Sequence, residues 1–153
     1  MGYKGARRCF QLVSGLIIAV GVLHLWATPH IPTLLRGSPA DIYDRALGPT
    51  LLNHVLTGVL LVPLGLTTWF AAVAFDRNER LALRILVTNT IAAFTLPLAI
   101  LIFMKRSEYY SASLFLTGVI LSCAIPLLMA FATISVARQH RDAVDQPKGG
   151  RPF

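Results

Sequence analysis

Apolar positions do not alternate with polar ones along most of this chain; they run together. Windows at about 10–27, 51–75, 81–104 and 111–137 are almost wholly apolar and contain no Asp or Glu. A helix that crosses a bilayer needs roughly 17–25 such residues, so each window is long enough to be one span. The only cation inside them is Arg84, one turn into the third window, where its long stem lets the guanidinium reach the surface. The predicted fold is therefore all-α, an integral membrane four-helix bundle. One membrane domain covers 1–137, and a polar, disordered tail covers 138–153.

The windows also carry finer patterns. Ser14, Ile17, Gly21, His24 and Thr28 recur at alternating steps of three and four, which places them on one face of the first helix. His54, Gly58, Leu61, Gly65, Thr68 and Ala72 follow the same alternation in the second. Small residues on one face let two membrane helices approach closely, so these two stripes are predicted to pack on each other. Thr88, Ala92, Thr95 and Ala99 share one face of the third window. Ser113, Thr117, Ile120 and Ala124 form a stripe on the fourth, with Gly118 and Ser122 beside it. Asn89 is the one amide inside the third window and should find an interhelical partner. Pro63, Pro97 and Pro126 fall inside windows two, three and four and are kink candidates.

Between the first two windows, the stretch from Leu23 to His54 interrupts the apolar pattern. Thr28-Pro29 and Ile31-Pro32 should end the first helix, because proline disfavours helix in the residue before it. Ser38-Pro39-Ala40-Asp41 reads as a helix start and Gly48-Pro49 as a stop. A short interfacial helix from Pro39 to Leu47 is expected, with Ile42, Tyr43, Ala46 and Leu47 on its apolar side. The run from Asp76 to Arg80 reads as a tight charged turn that makes the second and third helices antiparallel neighbours. The stretch from Lys105 to Tyr110 reads as the opposite turn, ending in two interfacial tyrosines.

Charge orients this arrangement. The sequence has 14 Lys and Arg against 7 Asp and Glu, a net charge of +7. Mean hydropathy is +0.64. Lys4, Arg7, Arg8, Arg77, Arg80, Arg84, Arg138, Arg141, Lys148 and Arg151 fall on one side of a four-span topology. Arg36, Arg45, Lys105 and Arg106 fall on the other. The bias predicts a multi-pass protein of a bacterial inner membrane or its equivalent, with both termini cytoplasmic. The basic excess is then matched to a lipid bilayer with anionic headgroups, and nucleic acid is not expected as a partner. Arg7-Arg8 ahead of an apolar run resembles a twin-arginine export signal. Removing the first span would reverse the charge bias, so an uncleaved first helix is expected. Cys9 and Cys123 lie at different depths and should not pair.

Candidate chemistry is sparse. His24 lies one turn before the end of the first window and His54 one turn after the start of the second. In antiparallel helices the two share a depth, and both lie on the small-residue stripes. His30, Asp41 and Asp44 sit in the loop beyond them. Three readings are open: a polar cluster that ties the loop to the helix ends through neighbours such as Asn53, a metal ion held by His24, His30, His54, Asp41 and Asp44, or a haem b held by His24 and His54. Known four-span families differ at their key residues. Small multidrug transporters need an acidic residue in the first span, and membrane disulfide oxidases need paired cysteines in outer loops. Glutathione-binding membrane enzymes need helix motifs rich in Arg, Asn and Glu, and none of these is present. The expected function is a non-enzymatic accessory or interaction subunit, working with other membrane subunits or as a homo-oligomer. The alternatives are a metal- or haem-binding protein or enzyme using His24 and His54, and a small transporter or lipid-binding protein with a cavity opened by the prolines.

Overall fold

The computed structural model describes residues 3–36, 39–103 and 113–145. These are almost entirely helical: α1 (Tyr3–Ala27), a 3-10 turn (Thr28–His30), α2 (Ile31–Leu35), α3 (Ala40–Ala74), α4 (Glu79–Phe103) and α5 (Ser113–Asp145). Four helical stretches are long and apolar enough to cross a membrane: Lys4–Leu35, Ala40–Ala74, Glu79–Ile102 and Leu116–Gln139. Ser38, the turn from Lys105 to Tyr110 and residues 146–153 of the tail lie outside the described residues.

The four long helices form a closed ring. α1 packs on α3 and α5, and α4 packs on the same two, with the α1–α3 contact by far the most extensive. The geometry of that contact follows from its glycines. A Cβ at Gly65 would lie 2.5 Å from Ile18 Cγ1 and 2.9 Å from the Ser14 carbonyl oxygen. One at Gly58 would lie 2.5 Å from Leu25 Cγ and 2.8 Å from the Gly21 carbonyl oxygen. The backbones are therefore in direct contact, as two small-residue stripes allow and as the sequence pattern predicts. Ser14, Ile17, Gly21, Gly58, Gly65, Thr68 and Ala72 are all buried.

The third and fourth windows pack on other faces than their small residues mark. Thr88, Ala92 and Thr95 are exposed, as are Thr117, Gly118 and Ile120. α4 instead buries Ala82, Leu86, Asn89, Thr90, Ala93 and Pro97, and α5 buries Ser122, Pro126, Met129, Ala132 and Val136. Leu86 and Met129 are large, so this half of the ring fills space with side chains where α1 and α3 touch through backbone. Polar bonds hold it in register. The Asn89 amide donates to Thr67 Oγ1 at 3.0 Å and Thr68 Oγ1 at 2.9 Å, joining α4 to α3. Thr90 and Thr133 hydroxyls lie 3.4 Å apart, joining α4 to α5. The Cys9 thiol donates to the Leu128 carbonyl at 3.9 Å, joining α1 to α5. Both cysteines are free thiols.

Two helix ends differ from expectation. Gly48-Pro49 does not stop a short helix. α3 runs unbroken from Ala40 to Ala74 with Pro49 and Pro63 inside it, and among the described residues no glycine takes the positive φ that a glycine stop needs. Pro49 frees only the Arg45 carbonyl, on an exposed stretch where water or a headgroup can satisfy it. The stretch expected as a separate interfacial helix is thus the first part of α3. At the other end, α5 reaches Asp145, beyond the tail boundary at 138. The charged turn behaves as read. Asn78 Oδ1 accepts the Leu81 N–H at 3.2 Å, capping α4, and Arg7 on α1 pairs with Asp76 at 2.6 Å. That pair is solvent-exposed and contributes little to stability.

The buried apolar cluster occupies one half of the bundle. Its members are Ala6, Phe10, Val13 and Ile17 of α1, Ala71, Ala72 and Phe75 at the end of α3, Ala82, Leu86 and Ala93 of α4, and Met129, Ala132 and Val136 of α5. Most lie toward the end that carries the chain termini, and Ile17, Ala93 and Met129 reach mid-bundle. In the far half the α1–α3 seam continues with Ile31, Pro97 and Ser122 buried beside it, and large apolar side chains face outward at both ends, such as Leu12 (72% exposed), Trp26 (68%) and Phe131 (59%).

Gly65→Val is expected to cost about 1–3 kcal/mol, because the Ser14 carbonyl cannot move aside as a side chain can. Nothing lies within 4 Å of a Cβ at Gly118, so Gly118→Ala should be neutral or stabilising. Unfolding titrations in mixed micelles check the pair; equal effects at the two glycines would contradict the packing. In the same assay Asn89→Ala should cost about 0.6–2 kcal/mol, and no loss would show that the amide bridges nothing.

Candidate histidine site

The far end of the α1–α3 seam carries the histidines. Glycines at 21 and 58 bring the two backbones together just beside His24 and His54, and the helices run antiparallel, so the two side chains meet. Their ring centroids are 5.1 Å apart and the planes are tilted by 36°. Both residues are half-buried.

The two rings are held differently. His24 Nδ1 lies 2.9 Å from the Val20 carbonyl of its own helix. A carbonyl only accepts, so this bond places the proton on Nδ1 and leaves the Nε2 lone pair free in the neutral ring. The Thr28 hydroxyl donates to the His24 carbonyl at 2.8 Å, which stiffens the same turn. His54 Nδ1 is buried and has no hydrogen-bond partner among the described residues. A buried imidazole nitrogen left in this state costs about 1–3 kcal/mol. Asn53, expected as a partner for the histidines, is exposed on α3.

The other predicted site residues lie elsewhere. His30 is exposed and packs its ring against Trp26, with centroids 5.3 Å apart and a tilt of 40°. Asp41 and Asp44 are exposed near the start of α3. Among the described residues no three His, Cys, Asp or Glu side chains are grouped to hold a metal ion, so the five-residue set is not assembled. Haem b does not fit between His24 and His54 either. Trans imidazoles on one iron place their ring centroids about 6 Å apart with the porphyrin plane between them. The 5.1 Å separation leaves no room for that plane.

Sequence reading found both histidines but missed what orients them. The Val20 carbonyl is four residues before His24, the ordinary reach of a side chain back along its helix, yet residue type carries no mark of it. Two concave spaces among the described residues lie at the end that carries the termini. Arg7, Phe10, Ala72, Phe75 and Val136 enclose about 10 Å³, and Lys4, Arg7, Arg8 and Gln11 flank an open groove of about 410 Å³. None of Pro63, Pro97 and Pro126 lines either space.

No family of known proteins matches the chain, and no curated protein or solved structure is similar to it.

His54→Phe removes the orphaned nitrogen while keeping ring volume. In metal-free micelles its stability should equal or exceed that of the native chain, since replacing an unsatisfied polar group by an apolar one is neutral or favourable. A loss of more than about 1 kcal/mol in chemical unfolding would mean that His54 makes a stabilising hydrogen bond.

Proposed function

We propose that this chain is a multi-pass protein of a bacterial inner membrane or its equivalent, with both termini cytoplasmic, and that it acts as a non-enzymatic accessory or interaction subunit. One observation carries the reading: large apolar side chains face outward on all four long helices, over the whole length of the bundle. Leu12 and Trp26 on α1, Leu60 and Phe70 on α3, Leu81 and Ile102 on α4, and Ile120 and Phe131 on α5 mark both ends. In a bilayer such faces are covered by lipid or by other helices, and helices associate there through close packing rather than through a hydrophobic drive. The exposed Thr88, Ala92 and Thr95 on α4, with Gly118 on α5, offer small-residue surfaces of the kind that permits such packing.

The charge distribution supports the orientation. Arg7, Arg8, Arg77, Arg80, Arg84, Arg138 and Arg141 all lie at the end of the bundle that carries the termini. A cytoplasmic placement puts these cations against the anionic leaflet.

The test is extraction from native membranes in mild detergent, followed by mass measurement of the intact particle. A discrete assembly of fixed stoichiometry, with itself or with other spans, is the expected outcome. A monodisperse single chain that turns over a substrate by itself would overturn the reading. Cysteine labelling from either side of sealed vesicles tests orientation, with Arg77→Cys expected to react only from the cytoplasmic face.

A further inference from the structure

We infer that His24 and His54 together form a binding site for a divalent, imidazole-preferring metal ion, of the zinc or copper(II) class, at the far end of the α1–α3 seam. Metal–nitrogen bonds of about 2.0–2.1 Å at tetrahedral angles put the centroids of two ligating imidazoles about 5 Å apart. The observed separation is 5.1 Å. The same spacing that excludes a porphyrin between the rings therefore suits one ion shared by them.

The hydrogen bonding agrees. Ligating histidines usually donate their other ring N–H to a carboxylate or a backbone carbonyl, which fixes the tautomer and turns the free nitrogen toward the metal. His24 has this arrangement through Val20, leaving Nε2 available. His54 Nδ1, buried and without a hydrogen-bond partner among the described residues, is the one buried side-chain nitrogen or oxygen there left in that state. A metal ion gives it a partner. The glycine contacts at 21 and 58 bring the two backbones together beside the rings, and the rings already stand at this separation without an ion, so little ordering is needed on binding. No third His, Cys, Asp or Glu joins the pair among the described residues. Water then completes the coordination shell, and the site keeps open positions. Two neutral imidazoles with water suit zinc and copper(II) better than calcium or magnesium, which favour oxygen ligands.

This inference does not rest on the accessory role. It fails or stands on metal binding, whereas that role fails or stands on assembly and turnover. The full chain, prepared without a histidine tag and reconstituted in nanodiscs, is titrated with Cu²⁺ and, in parallel, with Zn²⁺ against a competing chelator dye. One saturable equivalent per chain is expected. The electron paramagnetic resonance spectrum of the copper form should show coupling to two imidazole nitrogens. His24→Ala and His54→Ala should each weaken binding roughly tenfold or more, while His30→Ala leaves it unchanged. His54→Phe, which keeps the ring volume, stands in if the alanine variant does not fold. Absence of a saturable equivalent in the native chain overturns the site. So does a copper spectrum with fewer than two coupled nitrogens, or a loss of binding in His30→Ala equal to that in His24→Ala.

Discussion

Direct backbone contact between α1 and α3 is the constraint on which the rest of this structure depends. In lipid, apolar surface gains nothing by leaving its surroundings, so helices associate through packing and polar bonds. Gly21, Gly58 and Gly65 supply the packing by removing the side chains that would hold two helices apart. Residues at the same register are then brought together whatever their type. Ser14 meets Gly65 at one level, Gly21 meets Gly58 at another, and one turn further on the two histidine rings face each other.

The second pair of helices is held by a different chemistry, and the contrast shapes the molecule. α4 and α5 join the ring through Leu86, Met129 and small neighbours, reinforced by Asn89 and Thr90. These contacts lie toward the chain termini. Beyond Ala93 and Ser122 the two helices bury little besides Pro97, and their outward faces remain apolar. One end of the bundle is thus a packed core, and the other is a glycine seam with open flanks. The histidine pair sits at that open end, beside outward-facing apolar side chains such as Trp26.

How much of this could be read from the residues depended on which force marked each position. The four long apolar helices were legible because length and apolar content of the kind a bilayer demands stand out in a sequence. The α1 and α3 contact faces were legible because glycine has no other reason to recur at helical spacing in an apolar stretch. The faces of α4 and α5 were not. Leu86 and Met129 are buried while Thr88, Thr95 and Thr117 are exposed, and in a membrane a buried leucine and a lipid-facing one look alike. Gly48-Pro49 misled for another reason. It is a reliable stop in water, but α3 continues through it with all residues in helical geometry. For the site, helix register correctly paired His24 with His54. It did not show that His30 turns to Trp26, or that Asp41 and Asp44 lie on exposed turns, because those orientations are set by local contacts and not by spacing.

The most direct measurement is a cross-link across the seam. A Cβ at Gly21 would lie 3.0 Å from Leu61 Cβ, whereas Leu60 is 68% exposed and points away. With Cys9 and Cys123 replaced by alanine, the Gly21→Cys/Leu61→Cys pair should form an intramolecular disulfide in membranes under mild oxidation, and Gly21→Cys/Leu60→Cys should not. Equal cross-linking of the two pairs, or none in the first, would contradict the backbone contact between α1 and α3 and the histidine geometry that follows from it.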